Sequence, residues 1–311
     1  VRQWPLQHPL QTVHAQFDAA AAPIRQQSFQ LRVSQRHMRA HHHQSRQRCS
    51  LGAAAAQASY PEKPITIVVP FAAGGPTDRV ARDLAEAMRK PLGALSVVID
   101  NVGGAGGTLG AAKAARSVPD GHTLFLHHIG MATSPALYRK LPYDTMGDFE
   151  YLGMVNDVPM TLVGRNTLSA NKFKELQAWI NANKGNINLG NAGIGSASHL
   201  CGLMWQSRLQ AAEAMVTIPF GGTAPAMNAL VGGQVDVMCD QTTNTTQQIK
   251  SGKVKVNGVT TKQRVPSLQF VPTLNEAGLP NFEVAVWHGL YAPKGTPKPV
   301  LDKVIAALQT A

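Results

Sequence analysis

Two stretches of the chain combine glycine, small hydroxyl residues and a helix start in a way that suits an anion. The first is Phe71-Ala-Ala-Gly-Gly-Pro-Thr-Asp78, and the second is Gly195-Ser-Ala-Ser-His199. Gly74 and Gly75 let the backbone come close to a bound group. A helix beginning near Pro76 leaves its first N–H groups unpaired, with a partial positive charge of about half a unit. Pro76 suits that first turn, because its missing N–H is not needed there. A carboxylate fits such a site without any basic side chain. The second loop offers the same kind of helix start plus the hydroxyls of Ser196 and Ser198.

Each of these loops also has a plain structural reading, since a glycine-rich turn between strand and helix is an ordinary device. His199 at a helix start is more often an N-terminal contact than a catalytic base. His127-His128 ends a strand, and periodicity does not say which ring packs and which reaches a cleft. Asp240 follows a strand and either accepts from a ligand donor or caps the next turn. Other chemistries fit less well. Gly103-Gly-Ala-Gly-Gly-Thr-Leu-Gly110 puts Leu109 where a dinucleotide loop needs its third glycine. No P-loop, G-x-S-x-G elbow or H-E-x-x-H is present. A hydrolase using Ser196 or Ser198 with His199 is the alternative from another class.

The elements that must hold these loops are short and alternate in type. Ile65-Thr-Ile-Val-Val69 is β-rich, and Asp78 to Met88 places Val80, Leu84 and Met88 on one helical face. Ser96–Asp100 and Thr123–Leu126 read as strands around a helix from Thr108 to Arg116. The order repeats with strands at Thr161–Val163, Ile187–Gly190, Ala214–Ile218 and Val235–Met238. Helices at Phe173–Asn183, His199–Leu209 and Ala224–Val231 separate them, and a last helix starts at Pro299. The β-α-β-α-β order predicts parallel sheets with helices on both faces. In such sheets ligands sit outside the carboxyl ends of the strands, where both loops fall.

The chain has 311 residues, 44% of them apolar, enough for about two domains. No stretch of roughly 18 apolar residues is present. The net charge is +11, but residues 1–58 carry +6 of it, from seven Arg against one acid. The remainder is only mildly basic, and no interleaving of aromatic and basic residues suggests nucleic acid. Residues 1–48, rich in Gln, Arg and His, do not read as a folded domain, and their histidines lack the partners of a metal site. Ala56-Gln57-Ala58 ends a small, apolar run and matches a signal-peptide cleavage pattern, although Arg46-Gln-Arg48 stands where an apolar region is expected. Cys49, Cys201 and Cys239 give an odd count and no framework. Cys201 and Cys239 are read as two reduced, buried thiols rather than as one bridge.

Taken together, the motifs resemble a known family. They are Tyr60-Pro-Glu-Lys-Pro-Ile65, Val69-Pro-Phe-Ala-Ala-Gly-Gly-Pro-Thr-Asp78, Pro119-Asp-Gly-His-Thr-Leu124, Ala136-Leu-Tyr-Arg-Lys-Leu-Pro-Tyr-Asp144, Gly195-Ser-Ala-Ser-His-Leu200, Pro219-Phe-Gly-Gly-Thr-Ala-Pro-Ala226 and Gly232-Gly-Gln-Val-Asp236. The chain from Tyr60 onward resembles the periplasmic receptors of tripartite tricarboxylate transporters, the Bug family. The resemblance implies an α/β fold of the periplasmic-binding-protein type II, or Venus flytrap, kind. Two α/β domains with two crossovers would flank a cleft. Residues 59–159 plus 280–311 would form one domain and 160–279 the other, after an unstructured leader at 1–58. It implies a monomeric, periplasmic carboxylate receptor without cofactor or catalysis, serving a membrane transporter or, alternatively, a signalling partner. The carboxylate role falls on Phe71, Ala72, Ala73, Gly74 and Gly75, with Thr77 and Asp78 adjacent. Ser196, Ala197, Ser198 and His199 would hold the other end, with Asp240 as a wall residue. Side chains around His128, Met131 or Asp240 would read the distal end of the ligand and give no unique chemistry. The family usually has Pro where Ala72 or Ala73 stands, which implies a less rigid loop here. Family members also continue past the helix at Pro299, so a fragment ending at Ala311 is expected to be less stable.

Overall fold

The computed structural model describes residues 60–211 and 213–311. The leader, its cleavage pattern and Cys49 lie outside those residues. Among the described residues, no helix is long and apolar enough to cross a membrane.

The chain begins with β1 (Ile65–Val69), α1 (Pro76–Leu92), β2 (Val97–Asn101), α2 (Thr108–Ala115), β3 (Thr123–His128) and α3 (Gly130–Leu137). Then comes β4 (Phe149–Arg165), a strand of 17 residues. Beyond it lie α4 (Phe173–Ala182), β5 (Ile187–Asn191), α5 (Ala197–Arg208), β6 (Met215–Pro219), α6 (Thr223–Val231), β7 (Val237–Gln241), α7 (Thr242–Lys250) and β8 (Val254–Val259). The chain closes with α8 (Leu274–Ala277), β9 (Ala285–Pro293) and α9 (Lys298–Thr310).

The strands run in the order β2-β1-β3-β9-β4-β7-β5-β6, with β8 also paired to β4. β1, β2 and β3 are parallel, as are β5, β6 and β7. β4 links the two groups. Its Phe149–Pro159 part pairs with β9, whereas Met160–Gly164 pairs with β7 and Thr161–Arg165 with β8, always antiparallel. β4 and β9 exceed the sequence expectation, which gave only Thr161–Val163 and left Ala285–Pro293 unassigned. The first half of β4 alternates irregularly between buried and exposed positions around register shifts, so its sequence lacks a clean period of two.

Helices cover both faces of each group, as the β-α-β order predicts. In the first body, Val80, Leu84 and Met88 of α1 pack with Val304 and Ala307 of α9 against Ile65, Ile67 and Val69. On its other face Ala111, Phe125, Phe149 and Tyr291 form a second core. In the second body, Trp205 of α5 and Phe173 of α4 pack on Leu189, Val237 and Cys239, and Met227 and Leu230 of α6 close the opposite face. Burying each Val, Leu, Ile, Phe or Met side chain among these stabilises the fold by about 1.5–3 kcal/mol, which holds the strand ends, and so the loops, in place.

Candidate ligand-binding site

Gly74 takes φ +79, a conformation open to glycine and strained for other residues. Gly75 is the N-cap of α1, with Pro76 in its first turn. The loop is braced from inside. Asp78 Oδ2 accepts from the Gly74 N–H at 2.9 Å and from Arg82 Nε at 3.0 Å. Asp78 Oδ1 accepts from Arg82 Nη2 and Asn101 Nδ2, both at 3.0 Å. Burial raises the Asp78 pKa, but these donors outweigh it and hold the carboxyl below its ordinary range. Asp78 therefore shapes the loop. The Gly74 N–H is engaged by Asp78, and the Gly75 N–H points to the Ala72 carbonyl at 3.4 Å. Pro76 has no N–H, so the helix start presents chiefly the amides of Thr77 and Asp78.

Under this loop lies a stack of rings. Phe71 stacks on His128 with centroids 4.7 Å apart, and His127 and His288 pack against His128 at 4.7 and 6.1 Å. His128 Nδ1 accepts from the Gly130 N–H at 2.9 Å, which leaves the proton of a neutral ring on Nε2. His288 Nδ1 meets Asn156 Oδ1 at 2.9 Å and its Nε2 meets Thr77 Oγ1 at 3.3 Å. The carbonyl of Asn156 requires a donor, so the neutral His288 ring is protonated at Nδ1, and Thr77 donates to Nε2. Burial lowers all three histidines, His127 to about 3, His288 to about 4 and His128 well below 6.5. Both members of the His127-His128 pair are buried, so the packing ring and the reaching ring expected from sequence do not separate by exposure.

The second loop is braced in the same manner. Ser196 caps α5 by accepting from the His199 N–H, and Ser198 Oγ accepts from the Ala192 N–H at 2.9 Å. The two hydroxyls lie 3.1 Å apart, and the Gly195 N–H reaches His199 Nδ1 at 3.2 Å. The Ser196 and Ser198 hydroxyls thus bond loop amides and each other, while His199 Nδ1 accepts from a main-chain N–H. That is a capping arrangement, unlike a nucleophile held by its base. Ala197 is the first residue of α5 and is buried. Asp240, on β7, is 1% exposed; its Oδ2 accepts from Asn244 Nδ2 at 2.6 Å. Burial pushes its pKa up to about 7, against the lowering effect of Asn244 and the Gln241 N–H.

The thiol expectation is corrected. Cys201 of α5 and Cys239 of β7 form a disulfide, with Cα atoms 6.0 Å apart. Sequence separation gave no hint of this distance, which follows from α5 lying on the face of β7 that carries Val237 and Cys239.

The two bodies meet at the first loop and at the 103–107, 193–195 and 221–223 turns, of which the sequence motifs placed only Gly195 at the site. A Cβ added to Gly75 would lie 3.9 Å from Thr223 Cβ, and one on Gly222 would lie 3.0 Å from Ala72 Cβ. The start of α6 therefore faces the first loop directly. One on Gly106 would lie 1.7 Å from the Ile194 carbonyl oxygen, and Tyr138 Oη reaches that oxygen at 2.6 Å. The Gly-Gly pairs at 103–107 and 221–222 were the available signal, since both follow strands at the same sheet ends as Gly74 and Gly195.

A family model described as the tripartite tricarboxylate transporter family receptor matches residues 80–311. The chain belongs to this receptor family. A relative from Agrobacterium vitis, described as a UPF0065 protein in the TAR-I ttuE-ttuC' intergenic region, is 49% identical, covering 83% of this chain and 74% of its own. Protein BugT of Bordetella pertussis is 35% identical, covering 76% of this chain and 73% of its own. The structure of periplasmic binding protein BugD is 55% identical, with a TM-score of 0.78 over 81% of this chain and 83% of that one. MatC from Rhodopseudomonas palustris with bound malate is 41% identical, with a TM-score of 0.76 over 80% of this chain and 84% of that one. The receptor family thus confirms the two-domain α/β binding-protein fold that the motifs imply, and its members are periplasmic binding proteins.

Proposed function

We propose that this protein is a periplasmic receptor that closes two lobes on a small carboxylate and delivers it to a transporter of the tripartite tricarboxylate type. One observation carries the reading: the starts of α1 and α5 sit on braced loops at the carboxyl ends of parallel strands, in two bodies that meet beside them, Gly75 against Thr223 and Gly106 against Ile194. Each helix start presents main-chain N–H groups and positive partial charge, so the two together suit an anion gripped at both ends. The malate structure in a 41%-identical relative and the adipate structure of a 29%-identical one support carboxylates as the ligand class.

In this reading the lobes are residues 59–159 plus 280–311 and residues 160–279, with β4 and the chain before β9 as the two connections. Thr77 and Asp78 offer amides on one side, and the Ser196–His199 turn serves the other. His128 and Asp240 form walls, and the receptor works as a monomer without cofactor or catalysis. A ligand that touches both lobes favours the closed state by its differential affinity. A thermal-shift screen with malate, succinate, adipate, citrate, aspartate, glutamate and benzoate tests the reading. At 100 times its Kd, a true ligand stabilises by about 2.7 kcal/mol, a shift of several degrees. If no carboxylate moves the melting temperature, the carboxylate reading fails.

A further inference from the structure

The second contact between the bodies has its own construction. Residues Gly104, Ala105, Gly106 and Gly107 all have positive φ, at 124, 46, 62 and 102. Ala105 is the informative one, because a side chain there costs about 1 kcal/mol or more in the left-handed region. Its strained peptide is fixed by Thr108, whose N–H and Oγ1 both donate to the Ala105 carbonyl, the latter at 3.0 Å. The outcome is a turn that presents the bare Cα of Gly106 to the other body. The Ile194 carbonyl fits against it so closely that a methyl group could not be inserted. Tyr138 Oη lies 2.7 Å from the Ala105 carbonyl and 2.6 Å from the Ile194 carbonyl. A phenol has one proton. Ala105 already accepts from Thr108, so that proton goes to Ile194, the acceptor supplied by the opposite body.

We propose that Gly106 and Tyr138 are positioning residues that latch the lobes closed at the rim of the cleft, through the Ile194 carbonyl. The latch rests on the lobe-closure reading given above. Ile194 is 50% exposed, which places the contact at the edge of the cleft. The bond exists only when the lobes meet, so it acts on the population and lifetime of the closed state. One exposed neutral hydrogen bond is weak enough to leave opening easy, and a bound carboxylate still decides the equilibrium.

The test uses a reporter that needs no ligand. In the full chain with Cys49→Ser, cysteines are introduced by Gly75→Cys and Thr223→Cys. The Cβ separation of 3.9 Å in the closed arrangement suits a disulfide. The rate of cross-linking by oxidised glutathione then measures how often the lobes close. Tyr138→Phe should slow it about fivefold, the loss of one hydrogen bond, with the melting temperature nearly unchanged. Gly106→Ala should reduce it to background. An unchanged rate in Tyr138→Phe overturns the latch whatever Gly106→Ala does, and so does an unchanged rate in Gly106→Ala. If the latch-intact protein itself never cross-links, the lobes do not close, and the closure reading falls together with the latch.

Discussion

Asp78 accepts from a main-chain N–H, an amide and a guanidinium, all in its own body. Its folded pKa is depressed, so its contribution to stability is present above the ordinary carboxylate value of 3.8 and is lost as pH falls through the lower folded value. Asp78→Ala should cost about 1–3 kcal/mol, since it removes a buried carboxylate that accepts from the Gly74 N–H, the Asn101 amide and the Arg82 guanidinium. It should also weaken carboxylate binding, because the loop loses its brace; urea unfolding and calorimetric titration read the two effects. Asp240 has the opposite sign. Its folded pKa near 7 lies above the unfolded value, so stability falls as pH rises from about 4 to 7. Asp240→Asn should therefore raise the melting temperature at pH 8 and leave it unchanged near pH 4. A destabilised variant at pH 8 would show that the carboxylate is needed by the fold in its charged form.

At the scale of elements, α5 is tied to β7 by Cys201–Cys239, which closes a segment with a sequence separation of 38. The chain-entropy relation gives about 4 kcal/mol for a loop of that size. Reduction, or the Cys201→Ala/Cys239→Ala pair, should thus lower the unfolding midpoint clearly, and should loosen the Ser196–His199 turn at the start of α5. Equal midpoints with and without reductant would remove the disulfide from the account. The elements differ in how far the sequence announced them. α1 was legible because Val80, Leu84 and Met88 recur four apart and a glycine-proline turn precedes them. The loops around Gly74 and Ser196 were legible for the same reason, as strand, glycine and helix start follow in order. β9 was not, because Gly289 and the flanking prolines read as a loop, and its nine residues become a strand only between two partners. The rim turn at 103–107 and the disulfide depend on distances between bodies or elements, and no local pattern encodes those.

At the scale of the molecule, pH acts through the ring stack under the first loop. His127, His128 and His288 stay neutral in the fold well below the pH at which an unfolded histidine takes a proton. Below about 6.5 the unfolded chain binds more protons, so stability falls on acidification, by up to about 1.4 kcal/mol per pH unit for each ring. Asp240 opposes one of the three, because it takes up its proton in the folded state first. The melting temperature should fall between pH 7 and pH 4.5, and more steeply in Asp240→Asn; a flat profile in both proteins would mean that the three rings titrate normally. The strand order carries a further consequence, for the order of events as the chain is made. β9 lies between β3 and β4, yet it comes from residues 285–293. Until those residues emerge, the first sheet has a gap between β3 and β4 and an unpaired edge on each side of it. The second body can complete β5, β6, β7 and β8 without them. The half that is translated later is thus the half able to fold first, and the earlier half waits, with its edges open, for one late strand to join it.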